Sequence, residues 1–419
     1  TFEDQVELGV RDRSKEMEVE VDIEEENPDF EGFEEMDDGS IMFGAPTPPM
    51  EDTNFYANLA EDVDSSELKT LMNDLMSNID SDKESRSDWE KTYKDGLQYL
   101  GMKYEERSQP FEGASGVMHP LLAESVTQFQ AQAYNELLPS QGPVKTQVIG
   151  MANAETEQQA SRVQEFMNYQ LMQVMKEYDS ETDQMLFYLP LSGSAFRKVY
   201  YDQNLGRAVS KFIPSEDLIV PYAATDLHSA TRITHVIDMS MNDIKKLQQI
   251  GFYRDVDIST GDMMADDYDE VQEEIDELQG VSPSYDDDDT CRVHEVHTEL
   301  DLEGYEDLDS EGEETGIKLP YIITIANDKV LSIRRNYKET DQLKQRINYF
   351  VHYKFLPGLG FYGFGLTHMI GGLSKASTSI LRQLIDAGTL SNLPAGFKAR
   401  GIRIRNDDQP LQPGEFRDM

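Results

Sequence analysis

The chain has 419 residues, of which 81 are acidic and 37 basic, so its formal net charge is −44. This length can bury a sizeable core and predicts two or three domains. A single cysteine, Cys291, excludes an internal disulfide and a four-cysteine zinc site and is typical of a reducing compartment. No run approaches the roughly eighteen apolar residues of a membrane span, and no secretion signal opens the chain, so we expect a soluble, cytoplasmic protein.

Residues 1–85 are acidic, poor in long apolar patterns, and contain a stiff proline-rich segment at Gly44–Asp52. This composition predicts an acidic, flexible and largely extended N-terminal arm. One segment, MEVEVDI at residues 17–23, alternates apolar and acidic side chains as a half-buried strand does. Two interpretations stay open here: a strand that pairs with the sheet edge of another chain, or a solvated coil.

The sequence pattern of residues 86–254 predicts a domain that contains both helices and hairpins. Helical spacing starts at Trp89 and stops at Gly101, and further helices are expected at residues 121–138 and 155–178. A hairpin follows, with its turn at Asn204–Gly206. A strand with the sequence RITHVIDM and a short helix with the sequence MNDIKKLQQIGF complete the domain. Strands grouped in hairpins with helices on either side indicate an α+β fold.

Residues 255–320 predict an acidic low-complexity insert and then a strand that begins at Cys291. Residues 321–419 predict a hairpin about Asn327–Asp328, a buried strand, a glycine-rich turn and a long amphipathic helix. Gly388 is expected to close that helix as a left-handed cap. After it, the alternating segment KARGIRIR predicts one more strand.

The glycine-rich turn contains G-x-G-x-x-G at Gly358, Gly360 and Gly363, between a strand and a helix, which is the context of a dinucleotide site. Against this interpretation, Tyr362 and Phe364 would obstruct a pyrophosphate, and no second strand ends in an acidic residue about twenty positions later. A nucleotide-dependent enzyme is therefore kept only as an alternative hypothesis, and no cofactor is expected.

Cys291, His294 and His297 have the composition of a metal cluster. On a strand, however, His294 points to the face opposite the other two, and no spacing matches a zinc family. The acidic runs lack the spacing of a calcium loop, and the phosphate-loop, nucleophile-elbow and H-E-x-x-H motifs are missing from the sequence. We therefore expect a protein that is not an enzyme and holds no metal.

Two sets of residues near the end of the chain are candidate functional residues. Basic residues that could contact DNA phosphates are Lys375, Arg382, Lys398, Arg400, Arg403 and Arg405. The other interpretation of this set is an exposed face that balances the acidic blocks. The candidate subunit-packing residues on the amphipathic helix are Met369, Ile370, Leu373, Ile380 and Leu384.

The order and spacing of five segments resembles the portal, or head-to-tail connector, proteins of tailed bacteriophages, most of all those of short-tailed phages. These segments are QPFEGASGVMHPLLAESV, FRKVYYD with the following KFIPSEDLIVPYAATDLHSATRITHV, MNDIKKLQQIGFY, YFVHYKFLPGLGFYGFGLTHMIGGLSKASTSILRQLIDAG and LQPGEFRDM. They span roughly residues 85–419 apart from the acidic insert.

The resemblance implies a homo-oligomeric ring, usually a dodecamer, at one vertex of the capsid. It implies a fold with a mixed α/β wing, a helical stem and a clip, and a channel through which double-stranded DNA is packaged and later ejected. The implied partners are the terminase, the tail adaptor and the major capsid or scaffolding proteins, with assembly in the host cytoplasm and residence in the virion. The family's channel loop and crown would follow LQPGEFRDM. The alternative is an acidic interaction protein, a DNA mimic or assembly factor that acts through its charged arms.

Overall fold

The computed structural model describes residues 33–35, 41–43, 55–101, 107, 113–150, 152–202, 205–258, 275, 278, 290–308 and 314–392. The chain separates into two compact units, residues 1–55 and 56–419. The first unit contains an antiparallel pair, β1 (Phe33–Glu35) and β2 (Ile41–Phe43). The strand predicted at residues 17–23 lies outside the described residues.

The helices of the second unit arise from apolar residues at helical spacing. The first of them corrects the prediction of an extended arm up to residue 85, because Leu68, Met72, Leu75 and Ile79 recur every three or four positions and are buried. The helices are α1 (Ser65–Ser85), α2 (Ser87–Gln98), α3 (Leu121–Leu137), α4 (Ala154–Tyr169), α5 (Tyr178–Ser192), α6 (Met241–Gln249) and α7 (Leu366–Asn392).

Two helix boundaries differ from the sequence prediction. The single helix expected at residues 155–178 ends at Tyr169, continues as a π-helical turn over Gln170–Val174, and is followed by α5. Gly388 lies inside α7 rather than at its end. A Cβ added at Gly388 would meet no other atom within 4 Å, and nothing in its surroundings forces the left-handed conformation of a cap.

A three-stranded antiparallel sheet holds the predicted hairpin. The strand expected before the glycine-rich turn lies at one edge of this sheet and pairs with the first strand of the hairpin. Gly193, with a φ of 88°, ends α5 and turns the chain directly into this sheet. The strands are β3 (Ser194–Asp202), β4 (Arg207–Ile213) and β10 (Phe350–Lys354).

A second sheet is an antiparallel meander in which each strand pairs with the next one along the chain. It contains the predicted strand at Cys291 and the predicted hairpin about Asn327–Asp328. Together with the helices, these strands confirm the α+β class. The strands are β5 (Leu218–Ile219), β6 (Arg232–Ser240), β7 (Thr290–Leu300), β8 (Leu319–Ala326) and β9 (Lys329–Arg335).

The outer edge of this meander, at β9, is covered by a side chain. Asn58 donates from Nδ2 to the Leu331 carbonyl over 3.0 Å and accepts at Oδ1 from the Ile333 amide over 3.0 Å. An amide side chain can imitate a neighbouring strand in this way because it carries one donor and one acceptor side by side. The Asn58 contacts satisfy part of a strand edge that would otherwise be open to pairing.

The main core joins the two sheets and the glycine-rich turn. Aromatic residues from the turn enter the core beside residues of both sheets, so the turn is fixed by the same packing that holds the sheets together. The buried members are Trp89, Phe196, Ile213, Leu218, Val220, Leu227, Ala230, Ile233, Phe350, Phe361 and Tyr362.

A polar link also joins the sheets. Lys198 of β3 donates to both carboxylate oxygens of Glu295 of β7, over 2.6 and 2.7 Å, and Glu295 also accepts from His297 over 2.7 Å. Burial alone would raise the pKa of Glu295, but the Lys198 charge and the His297 hydrogen bond outweigh it and lower that pKa. Burial lowers the pKa of His297, so the histidine is neutral at neutral pH.

Candidate assembly and nucleic-acid interface

Close backbone packing positions the start of α7. The glycine-rich turn lies directly against the end of α5, and a Cβ at Gly193 would come within 2.4 Å of the Gly365 nitrogen. Thr367 then donates its hydroxyl to the Leu191 carbonyl over 2.9 Å and fills the space beside Gly96. Only glycine permits this approach at both contacts, so the sequence fixes where α7 begins.

The buried face of α7 is made of small and polar residues. Asp386 accepts the Ser115 amide over 2.7 Å, and Thr378 accepts the His119 amide over 3.0 Å. These contacts satisfy backbone groups of the irregular segment before α3, which secondary structure leaves unpaired. The buried residues of α7 are Thr367, Gly371, Ser374, Thr378 and Asp386.

The exposed face of α7 is apolar, which inverts the usual arrangement of a surface helix. Four of the five predicted packing residues lie on this face and are between 58% and 70% exposed: Met369, Leu373, Ile380 and Leu384. The fifth, Ile370, turns toward the core and packs against the cluster that contains Leu122. A contiguous apolar row of this kind is typical of a surface that another protein covers.

Two of the six predicted basic residues lie in the described part of the chain. Lys375 is exposed, with its Nζ 6.0 Å from the centre of the Tyr99 ring, and Arg382 donates from Nε to the Val117 carbonyl over 2.8 Å. Both line a groove of about 620 Å³ together with Arg107. The other four candidates, Lys398, Arg400, Arg403 and Arg405, lie outside the described residues.

The glycine-rich turn is filled by protein atoms. A Cβ at Gly360 would lie 2.5 Å from the Tyr222 ring, and Phe361 and Tyr362 are buried beneath the turn. The glycines therefore serve close packing of the turn against its own core, and the space that a pyrophosphate would need is taken. The geometry gives no support to the dinucleotide interpretation.

Arg86 is a buried centre that the sequence analysis did not single out. Its guanidinium donates to the carbonyls of Ser215, Glu216 and Leu218 and to the Tyr362 hydroxyl, over 2.8 to 3.0 Å, and it pairs with Glu90. The one available signal was the position of this arginine three residues before the only tryptophan, at the junction of α1 and α2.

Cys291 and His297 of β7 contact neighbouring side chains of the sheet. Cys291 is buried, which raises the pKa of its thiol, and its Sγ lies 3.5 Å from Asn327 Oδ1. His297 contacts Glu295 as described above. Within the described ranges, no group of three or more His, Cys, Asp or Glu side chains is placed to hold a metal ion. In the same ranges, no helix combines the length and the apolar character needed to cross a membrane.

An α+β body that presents an apolar helix face to solvent is typical of a subunit that assembles with other protein chains. A family model described as the phage SU10 portal protein matches residues 194–406, just over half of the chain, and the chain belongs to that family. The match includes both sheets, the glycine-rich turn and α7. A search of curated proteins finds no match to this chain.

Portal proteins are structural components of the virion, and the family implies ring assembly in the phage capsid. The family resemblance drawn from the five segments is thereby confirmed.

Proposed function

We propose that this chain forms a portal ring, usually a dodecamer, at the unique capsid vertex. The ring would form the channel for genome packaging and ejection and the platform on which the terminase and the tail adaptor dock, without catalytic activity of its own. In this proposal the two antiparallel sheets form the wing and α7 belongs to the stem. The observation that carries it, beside the family match, is the exposed apolar row on α7.

The energetics of that row favour assembly. Covering a large aliphatic side chain contributes on the order of 1.5–3 kcal/mol at full burial, and the four row residues Met369, Leu373, Ile380 and Leu384 are each more than half exposed. In a ring each copy uses this face once, against a different surface of the next copy, and the contact closes when the rotation closes. In the closed ring the row would be covered in every subunit, and only the monomer would expose it.

The charge of the chain suits a channel through which DNA slides. A strongly basic lumen would hold phosphates tightly, whereas this chain carries a net charge of −44 and few clustered cations. We propose that Lys375 and Arg382 contribute to the sparse basic contacts, together with the basic residues that follow α7. Their contacts with DNA phosphate would be transient and independent of sequence.

Negative-stain electron microscopy combined with native mass measurement tests the ring. The wild-type chain is expected to form rings with a central hole, whereas the variant Leu373→Glu/Leu384→Glu is expected to stay monomeric because charges on the row cannot be buried unpaired. Leu359→Glu is the matched control, since Leu359 is 96% exposed at the tip of the glycine-rich turn and should not affect assembly. A wild-type chain that is monomeric at high concentration would overturn the proposal.

A further inference from the structure

A second unpartnered apolar face lies on α4 and the π-turn that follows it. Of the residues of α4 none is buried, and five large apolar side chains of this segment are between 37% and 59% exposed. They are Val163, Phe166, Met167, Tyr169 and Met172. Three of them, at positions i, i+3 and i+4, are neighbours on one side of a helix, which is the spacing of anchors that enter a groove.

The orientation of α4 is fixed from its other side. Asn168 exchanges two hydrogen bonds with the backbone of Val144, of 2.9 and 3.1 Å, and Gln164 accepts from the Thr146 amide over 3.2 Å. The extended segment around residues 144–146 thus covers the polar side of the helix. This arrangement leaves the apolar side chains of α4 directed away from their own segment and open to another surface.

The apolar row on α7 indicates what kind of surface covers it. With the small residues between them, the exposed apolar residues of the row are Met369, Leu373, Ala376, Ile380, Leu384 and Ala387, at steps of four, three, four, four and three residues. Steps of three and four residues are the spacing of heptad positions, whose side chains pack against another helix by knobs into holes. The small Ala376 and Ala387 leave room for large side chains from that helix. The row therefore requires a helix with bulky apolar residues.

We infer that the segment formed by α4 and its π-turn in one copy packs along the apolar row of α7 in the adjacent copy. This inference rests on the proposed ring, because a head-to-tail interface needs two different surfaces on each chain. The segment Ala154–Val174 is about 31 Å long and the row from Met369 to Ala387 about 28 Å, at 1.5 Å per helical residue, so their lengths are similar.

The charges of the two helices are complementary. The segment from α4 carries Glu155, Glu157 and Glu165 against one arginine, Arg162. Helix α7 carries two basic residues, Lys375 and Arg382, and its only acidic residue, Asp386, faces inward. Opposite net charges on the two helices increase the rate of association.

Another exposed apolar patch is an alternative partner for the apolar row of α7. Val199, Tyr201 and Val351 lie on one face of the three-stranded sheet and are exposed. This patch is smaller than the face of α4 and presents strands, which do not match a heptad row. The sheet patch is therefore used as the alternative in the experiment.

The test is cross-linking between copies that carry single introduced cysteines. A Phe166→Cys chain is mixed with an Ile380→Cys chain, assembled, and treated with a short bis-maleimide. The native Cys291 is buried and serves as the unreacted background in the wild-type control. Because each chain contributes one cysteine, a linked product of two chains in the mixture, and in neither protein alone, shows the intermolecular contact. In parallel mixtures, a Leu373→Cys or a Leu384→Cys chain replaces the Ile380→Cys chain, so that neighbouring registers of the two helices are also tested.

We expect the double variant Phe166→Cys/Ile380→Cys to form a ladder of linked chains up to the closed ring. If wild-type rings form but none of the three α7 positions links to Phe166→Cys, the inference is overturned and the ring stands. Linkage of Tyr201→Cys to Ile380→Cys instead would assign the row to the sheet patch, which also overturns it. If microscopy shows no wild-type ring, the proposed function itself fails.

Discussion

Arg86 donates from Nη1 to the hydroxyl of Tyr362 over 3.0 Å, although the two residues are 276 positions apart. The same tyrosine stacks on Trp89 with ring centroids 4.5 Å apart. These contacts tie the start of α2 to the glycine-rich turn, and the turn in turn sets the start of α7. The placement of the exposed apolar row on α7 therefore depends on a buried guanidinium far from it in sequence.

Replacing Arg86 by methionine should destabilise the chain by about 3 kcal/mol or more, because the carbonyls of Ser215, Glu216 and Leu218 lose a charged donor inside the core. Urea unfolding followed by tryptophan fluorescence measures this loss, and the only tryptophan, Trp89, reports from the site itself. Lys91→Met removes an exposed cation from the same helix and should change stability by less than about 0.5 kcal/mol. Equal effects of the two variants would contradict the role assigned to Arg86.

Two glycine-to-alanine substitutions should change the stability of the chain in opposite directions. A Cβ at Gly358 would lie 2.1 Å from the Tyr362 carbonyl oxygen, so Gly358→Ala must move the turn and should cost about 2 kcal/mol. A Cβ at Gly388 meets nothing within 4 Å inside α7, so Gly388→Ala should stabilise the helix by roughly 0.5–1 kcal/mol. Thermal unfolding of both variants checks the pair, and a neutral Gly358→Ala would show that the turn is less tightly packed than described.

The fold class was predictable because most elements carry a local signal. Strand alternation from Cys291 onward, the hairpin turn at Asn204–Gly206 and the apolar spacing around Trp89 all depend on neighbours a few residues away. The helix of residues 65–85 was missed because its many acidic residues dominate the composition, whereas four buried apolar positions decide the structure. In this segment the acidic composition indicated an exposed arm, whereas the apolar spacing indicated a helix. The buried residues follow the apolar spacing.

The candidate site was predictable only in part. The apolar face of α7 could be identified from spacing, but a sequence pattern does not say whether such a face is buried in its own chain or presented to another. That distinction came from Thr378 and Asp386, whose hydrogen bonds to residues 115–119 turn the polar face inward. The role of Arg86 depends on carbonyls more than 125 positions away, which no local pattern reveals.

Acid should destabilise the junction between the sheets. Burial lowers the pKa of His235 from the ordinary histidine value of about 6.5 to about 3, and His235 Nδ1 has no hydrogen-bond partner in the described part of the chain. Between these values the unfolded state binds the proton that the folded state does not, so stability falls as pH decreases from about 6.5. The lowered pKa of Glu295 acts in the same direction at lower pH.

His235→Asn removes the titrating ring and should flatten the loss of stability below pH 6.5, where one such group contributes at most about 1.4 kcal/mol per pH unit. Urea unfolding midpoints between pH 7.5 and 4.5 measure the slope. His228→Asn is the control, because His228 is exposed and should leave the slope unchanged. An unaltered slope in His235→Asn would contradict the assignment.

The polar anchors of α7 should be needed to orient it. Thr378→Val keeps the side-chain shape but leaves the His119 amide without its acceptor, and Asp386→Ala does the same to the Ser115 amide. Each should cost about 1–3 kcal/mol, since a buried donor is left unsatisfied. Hydrogen exchange should show faster exchange at both amides, whereas Thr127→Val, on the exposed side of α3, should leave them protected.

The last prediction concerns Lys375, whose Nζ contacts the face of Tyr99 and is otherwise directed to solvent. If this cation meets phosphate in the assembled ring, Lys375→Gln should weaken DNA binding uniformly across sequences. The slope of log binding constant against log salt should then fall in magnitude by about 0.9 for each phosphate contact removed. Salt titrations of ring-bound duplex DNA measure this slope, with Lys69→Gln on α1 as a matched exposed cation. Equal slopes for Lys375→Gln and wild type would remove Lys375 from the residues that meet DNA and would shift that role to the basic residues after α7.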